Sequence, residues 1–221
     1  IGDVDEIGKT FLSGDFNGDG LTDLIAVERN YTYSYLGPCD ANDEPVNYTE
    51  TYYGDTYFIN LDRRIASNFV NTAGKINALG NSKIKIADFN GDGKSDVYVF
   101  DTGKVKIYSL NDSKQFVLLF QTSTNDPNIV LTIDPLLGDY NGDGKTDFII
   151  PKGVGYSEWY KYSSTGINLI KETQTYTGFN FPSNSATGTY NVIPSDYNND
   201  GKTDLILTSA IRSSGGTVGN L

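Results

Sequence analysis

Asp88–Asp96 reads DFNGDGKSD, and three near-copies share its pattern: DFNGDGLTD at Asp15–Asp23, DYNGDGKTD at Asp139–Asp147 and DYNNDGKTD at Asp196–Asp204. Every copy carries oxygen-bearing side chains at positions 1, 3, 5 and 9 and glycine at position 6. This spacing turns alternate side chains toward one centre as the backbone curls, and glycine permits the sharp turn. Ca²⁺ takes six to eight oxygen ligands in a flexible shell, so the pattern predicts about four calcium loops. The predicted ligands are Asp15, Asn17, Asp19 and Asp23 with the Leu21 carbonyl, and Asp88, Asn90, Asp92 and Asp96 with the Lys94 carbonyl. In the later copies they are Asp139, Asn141, Asp143 and Asp147 with the Lys145 carbonyl, and Asp196, Asn198, Asp200 and Asp204 with the Lys202 carbonyl. Position 7 contributes only its carbonyl, which leaves its side chain free to be Leu or Lys.

An EF-hand would need Glu at position 12 and flanking helices. Position 12 is Ala26, Val99, Ile150 or Leu207, all apolar, so that loop type fails in every copy. Short apolar runs follow instead, at Leu24–Val27, Val97–Phe100, Phe148–Ile150 and Leu205–Leu207. Their length and β-branched content read as buried strands. The competing reading is metal-free turn chemistry of Asp, Asn and Gly; four copies of one ligand pattern count against it. Mg²⁺ is disfavoured because it demands a stricter octahedron and dehydrates reluctantly.

The net charge is −11, and 12 of the 28 acidic residues lie in the four loops. Four bound Ca²⁺ ions would add +8 and leave −3, so the net acidity is largely that of the ion sites, and no basic patch is left to meet nucleic-acid phosphate. The absence of His excludes imidazole catalysis and His-ligated zinc or iron within the chain. A lone Cys39 excludes an internal disulfide and a cysteine metal cluster. No apolar run approaches the ~18 residues of a membrane span. The chain starts at Ile1 and lacks Met, and so reads as a piece of a longer protein. Extracellular calcium modules work at ~10⁻⁴–10⁻³ M, which predicts a secreted or cell-surface location.

The loop starts are 73, 51 and 57 residues apart. In the second unit, strands are predicted at Ile84–Ala87, Asp96–Phe100, Val105–Leu110 and Gln115–Thr122, joined by tight turns. The third repeats this with Phe148–Ile150, Glu158–Tyr162 and Ile167–Thr175, and the fourth stops after Leu205–Thr208. Four antiparallel strands in about forty residues make a propeller blade. The expectation is an all-β chain of four-stranded blades, three plus a partial fourth, forming an arc of a larger β-propeller. It is read as a single region over 1–221, with an insertion at about 30–55 and a flexible tail at about 212–221. A β-sandwich with calcium turns and a calcium solenoid are the competing architectures.

The segments DFNGDGKSDVYVF and DYNGDGKTDFII resemble FG-GAP or VCBS-type repeats, the calcium-loop blades of integrin α-subunit propellers and of many secreted bacterial proteins. The resemblance implies calcium in the hairpin between the first and second strands of each blade, on one rim, held by the residues named above. Asn199 departs from it, standing where the other copies have Gly at position 4; Asn tolerates the left-handed conformation. KTDFIIPKG followed by SEWYKYSSTG is similar to blades of large bacterial surface or toxin-associated proteins that carry RHS-type repeats, although no such repeat lies in this chain.

The leading functional expectation is a non-catalytic, calcium-stabilised binding or scaffold module of a secreted or surface bacterial protein. Its contact surface is placed in the insertion, at Tyr31, Tyr33, Tyr35, Tyr48, Tyr52 and Tyr53, since Tyr offers a large amphipathic contact at low entropic cost. Local packing of these tyrosines along extended strands is the alternative. Expected partners are a protein or glycan and other blades or domains of the parent chain, with no nucleic acid and no membrane span. A second class is a lectin-like propeller stacking sugars on Trp159 or the tyrosines, or the propeller part of an RHS-type toxin. An enzyme is the third and is not favoured. The clustered Asp residues are committed to metal, and Asp62, Asp101 and Glu158 show no spacing of an acid–base pair.

Overall fold

Asp96–Asp101 is buried from end to end, as its uninterrupted VYVF run requires, whereas in Lys104–Leu110 Lys104 is exposed, Lys106 and Ser109 are half-buried and the rest are buried. These are two of sixteen strands in a computed structural model that describes residues 9–28, 30–35, 48–53, 55–59, 71–78, 82–131, 134–151, 158–175 and 188–211. Among the described residues there is no helix, and hence none long and apolar enough to cross a membrane. The chain divides into unit 1, Ile1–Ala87 with Asp92–Asn125, and unit 2, Asp88–Gly91 with Asp126–Leu221.

In unit 1 the strands are β1 (Lys9–Gly14), β2 (Asp23–Glu28), β3 (Asn30–Tyr35), β4 (Tyr48–Tyr53), β5 (Asp55–Ile59) and β6 (Asn71–Lys75), then β7 (Lys83–Ala87), β8 (Asp96–Asp101), β9 (Lys104–Leu110) and β10 (Phe116–Gln121). Eight of them form two antiparallel four-stranded sheets, ordered β1-β2-β5-β6 and β10-β9-β8-β7, and β3 pairs with β4 alone. Ile25 and Val27 of the first sheet pack with Val97 and Val99 of the second, together with Phe16, Phe58, Tyr108 and Phe116. The Phe16 and Phe116 rings meet edge to face, 5.8 Å apart. Burying each such side chain is worth about 1.5–3 kcal/mol. The edge strand β10 carries a bulge between Leu118 and Phe120, a device that twists an exposed edge away from further pairing.

Unit 2 holds β11 (Leu136–Gly138), β12 (Asp147–Pro151), β13 (Glu158–Ser164) and β14 (Leu169–Thr175), paired in that order, and the hairpin β15 (Gly188–Ser195) with β16 (Asp204–Ile211). Ile149 and Trp159 form its core with Leu136, Tyr140, Val192 and Leu205, so β15–β16 packs against the neighbouring sheet. A second tie is the Asp126 carboxylate, which accepts from Tyr162 Oη at 2.8 Å and from Lys171 Nζ at 2.9 Å.

The expected all-β architecture of four-stranded antiparallel blades is present, and each nine-residue loop joins the first and second strands of its blade. Three boundaries differ by two residues or more, the first being β13, which runs past the expected Tyr162 to Ser164. The last strand of the third blade begins at Leu169, because Thr165 and Asn168 close a turn through Gly166 at φ +84°. The second strand of the fourth runs on to Ile211. The insertion contains a separate hairpin, β3–β4, with Tyr31 opposite Tyr52 and Tyr35 opposite Tyr48. The predicted tail at 212–221, Asp62 and the middle of the insertion lie outside the described residues.

Candidate metal centre

Each loop is wound around its first aspartate. Asp15 Oδ1 accepts the N–H groups of Gly18 and Asp19 at 2.8 and 3.1 Å, and its Oδ2 accepts that of Gly20 at 2.8 Å. Asn17 Oδ1 takes the Asp19 N–H and Asp19 Oδ1 the Leu21 N–H. Asp139, Asn141 and Asp143 repeat every one of these bonds. Asp196, Asn198 and Asp200 repeat the bonds to positions 5, 6 and 7. In the second loop Asp88 accepts from Gly91 and Asp92 from Lys94. Positions 4 and 6 have positive φ throughout, including Asn199 at 60°, so Asn holds the conformation that glycine provides elsewhere.

Position 2 is an aromatic anchor in the first three loops: Phe16 and Phe89 are fully buried, and Tyr140 donates its hydroxyl to the Leu136 carbonyl at 3.1 Å, whereas Tyr197 of the fourth is exposed. Position 9 starts the second strand, which carries its carboxylate inward. Asp23, Asp96 and Asp147 are at most 1 % exposed. Asp147 Oδ1 accepts the Ser164 N–H at 2.8 Å, while Asp147 Oδ2 and Asp23 Oδ2 are buried with no hydrogen-bond donor. Burial, reinforced by the Asp19 and Asp15 charges, pushes Asp23 up to about 6. Burial pushes Asp147 up to about 6 as well, with the Asp143 charge behind it. A buried carboxylate oxygen without a donor is costly unless a cation meets it.

The predicted ligands of a loop are therefore brought to one turn of chain, with their backbone bonds leaving further lone pairs on each carboxylate. Among the described residues no three acidic or cysteine side chains form a tight preformed cage. The donor set nonetheless fits a hard divalent cation: Asp, Asn, Asp, a carbonyl and Asp, with a buried oxygen lacking a donor at Asp23 and at Asp147. Of the remaining carboxylates, Asp101 is tied to Lys106 at 2.8 Å and to Ser82 Oγ.

Contacts between one loop and the next were not foreseen. The position-8 N–H donates to the position-1 carbonyl of the preceding loop: Ser95 to Asp15 at 2.6 Å in unit 1, Thr146 to Asp88 at 2.8 Å and Thr203 to Asp139 at 2.6 Å in unit 2. The residue before the loop is small at these junctions. A Cβ built on Gly14 would stand 2.7 Å from Ser95 Cβ, and one on Gly138 2.5 Å from Thr203 Cγ2. The signal was in the sequence, as Ser or Thr at position 8 and Gly, Ala or Ser before position 1 in every copy. Unit 2 also has a cleft of about 390 Å³ lined by Tyr140, Ile149, Trp159 and Lys161 and by Thr203, Asp204 and Leu205.

The FG-GAP-like repeat family matches residues 88–150 and 139–207, more than half of the chain. Among solved structures, the chain is similar to a lectin of Agrocybe aegerita described for specific recognition of non-reducing terminal N-acetylglucosamine. The TM-score is 0.55 at 17 % identity, over 96 % of this chain and 51 % of the lectin. The chain thus spans about half the length of that protein, a β-propeller whose likeness extends to the fold. No curated protein matches the sequence.

Proposed function

Given that the chain belongs to the FG-GAP-like repeat family, we propose that it is a non-catalytic propeller binding module whose loops are calcium sites. The observation that carries the reading is the buried oxygen without a donor on Asp23 and on Asp147, each at the end of a loop that already gathers two more Asp and one Asn. Bound calcium would supply the positive charge that lets these carboxylates stay ionised in the folded state. The chain's own part is to hold Asp15, Asn17, Asp19, Asp23 and the Leu21 carbonyl, and their counterparts, on one turn each. An ion that binds only the folded chain stabilises it by mass action. Thermal unfolding in millimolar calcium, in EGTA, and in EGTA with excess magnesium tests this. A rise in Tm of several degrees with calcium alone is expected; equal Tm in all three would reduce the loops to ordinary turns.

Calcium need at extracellular levels supports secretion or surface display, and the sequence likeness supports a large bacterial surface protein as the parent. The tyrosine hairpin β3–β4 is our candidate contact surface, since it stands apart from the four-stranded sheet of its blade. Deleting residues 41–53 is expected to abolish partner capture with Tm nearly unchanged; a large loss of stability would favour packing.

Glycan binding is the second reading, favoured by the cleft beside Trp159 with Lys161, Thr203 and Asp204 around it. Trp159 itself is 6 % exposed, so it walls the cleft rather than offering a stacking platform. As the sole tryptophan, it reports directly. N-acetylglucosamine titrated to tens of millimolar should shift its fluorescence, and an unchanged spectrum would remove this reading.

A further inference from the structure

Glycine at positions 4 and 6 answers two different needs. A Cβ built on Gly20, Gly93, Gly144 or Gly201, at position 6, would meet nothing within 4 Å. These glycines serve the backbone conformation alone. At position 4 the space is taken by the next loop. A Cβ on Gly18 would stand 3.0 Å from Lys94 Cγ, one on Gly91 3.3 Å from Lys145 Cγ, and one on Gly142 3.1 Å from Lys202 Cγ. The stem of each position-7 lysine therefore packs on the position-4 glycine of the preceding loop, once in unit 1 and twice in unit 2. The same step carries the bond from the position-8 N–H to the preceding position-1 carbonyl.

We infer that neighbouring loops are coupled ion sites, and that Lys94, Lys145 and Lys202 are positioning residues acting through their methylene stems. The inference rests on the calcium reading of the loops. Position 7 has two attachments: its carbonyl belongs to the ligand set of its own loop, and its stem packs on the loop before. Position 1 likewise gives its carboxylate to its own ion and its carbonyl to the next loop's N–H. An ion in one loop fixes position 1, which holds positions 7 and 8 of the next loop in place. The ordering cost of the second site falls, and the effect is reciprocal by linkage.

Charge and packing predict opposite signs here. An ammonium near a divalent ion weakens its binding, so removing the lysine charge alone should raise calcium affinity slightly. Removing the stem should lower it. The test is calcium titration of the chelator-stripped full chain by isothermal calorimetry, for the unmodified protein, Lys202→Ala and Lys202→Met. Both variants lose the charge, and Met restores the stem. The expected result is a Hill coefficient above one for the unmodified chain, a loss of about fivefold in affinity for the last two ions in Lys202→Ala, and recovery in Lys202→Met. Far-UV circular dichroism in EGTA checks that the variants are folded, and Asp200→Asn gives a second route. It should lower the affinity of an ion it does not ligate as well as deleting its own. Independent uptake that ignores Lys202→Ala and Asp200→Asn at the other sites would overturn the coupling while leaving the calcium reading intact. No calcium uptake by the unmodified chain would overturn both.

Discussion

Gly138→Ala puts a methyl group into the tightest junction of unit 2. The Cβ would stand 2.5 Å from Thr203 Cγ2, 2.6 Å from Oγ1 and 2.8 Å from Cβ, all inside contact distance, so β11 and the fourth loop must part. Thr203 is β-branched and stiff at χ1, and a rotamer change moves only some of these atoms away. The parting stretches the 2.6 Å bond from Thr203 N–H to the Asp139 carbonyl. Overpacking of this kind costs about 1–3 kcal/mol, and a weakened hydrogen bond adds about 0.5–1.5. Ala in a strand gives back about 0.5–1 kcal/mol by narrowing the unfolded ensemble. The net expectation is a loss of about 2 kcal/mol. The junction after Ala87 shows the relaxation available, since its bond is 2.8 Å rather than 2.6 Å. Urea unfolding at fixed calcium measures the loss, with Gly138→Ala/Thr203→Gly as the compensating partner, which moves the Cβ from one side of the junction to the other. The double variant should recover at least half of the deficit. A single variant within about 0.5 kcal/mol of the parent, or a double variant with additive losses, would refute the steric account.

Two further substitutions address charge. Asp147→Asn removes a buried carboxylate whose Oδ2 has no donor, so it should raise Tm in EGTA at neutral pH and shrink the gain from calcium. The folded value of about 6 lies above the ordinary 3.8. The metal-free parent thus holds this contribution fully below 3.8 and loses it as pH rises through about 6, and the variant should flatten that fall in Tm. Asp126→Asn breaks the contacts to Lys171 and Tyr162 and should cost about 1–2 kcal/mol by urea unfolding at neutral pH. Burial pushes the Asp126 carboxyl up, but Lys171, the Asn128 N–H and Tyr162 outweigh it and hold it below 3.8. Its stabilisation is present above 3.8 and is lost as pH falls through the folded value, so parent and variant should converge only in strong acid.

The loops and blades were legible because their determinants are local. Alternating Asp and Asn with two left-handed positions writes the turn directly, and the VYVF run of β8 has a length and composition that only a buried strand satisfies. Strand ends were less legible where a turn competes for the same residues, as at Thr165–Asn168. The hairpin of the insertion was missed as a separate sheet because alternating Tyr and Thr suits a strand without naming its partner. The junction chemistry was hidden for another reason. Gly138 and Thr203 are 65 positions apart in the sequence, and each looks like ordinary turn or strand composition until the two are superposed. The buried state of Asp23 and Asp147 was equally out of reach, since a ligand aspartate at a rim reads as exposed until the neighbouring strands cover it.

In the second and third loops, the ten residues from just before the loop to its end contain both halves of the junction. The small residue, the position-1 carbonyl and the position-4 glycine receive, while the position-7 lysine and position-8 amide reach back. Such a phrase is complementary to itself. A blade copied whole arrives with the means to dock on its parent and to be docked upon by a further copy, and no new surface has to arise by substitution. Repeat number in a chain of this kind can change by duplication or loss of entire blades, while a break inside the phrase would leave two neighbours mismatched at once.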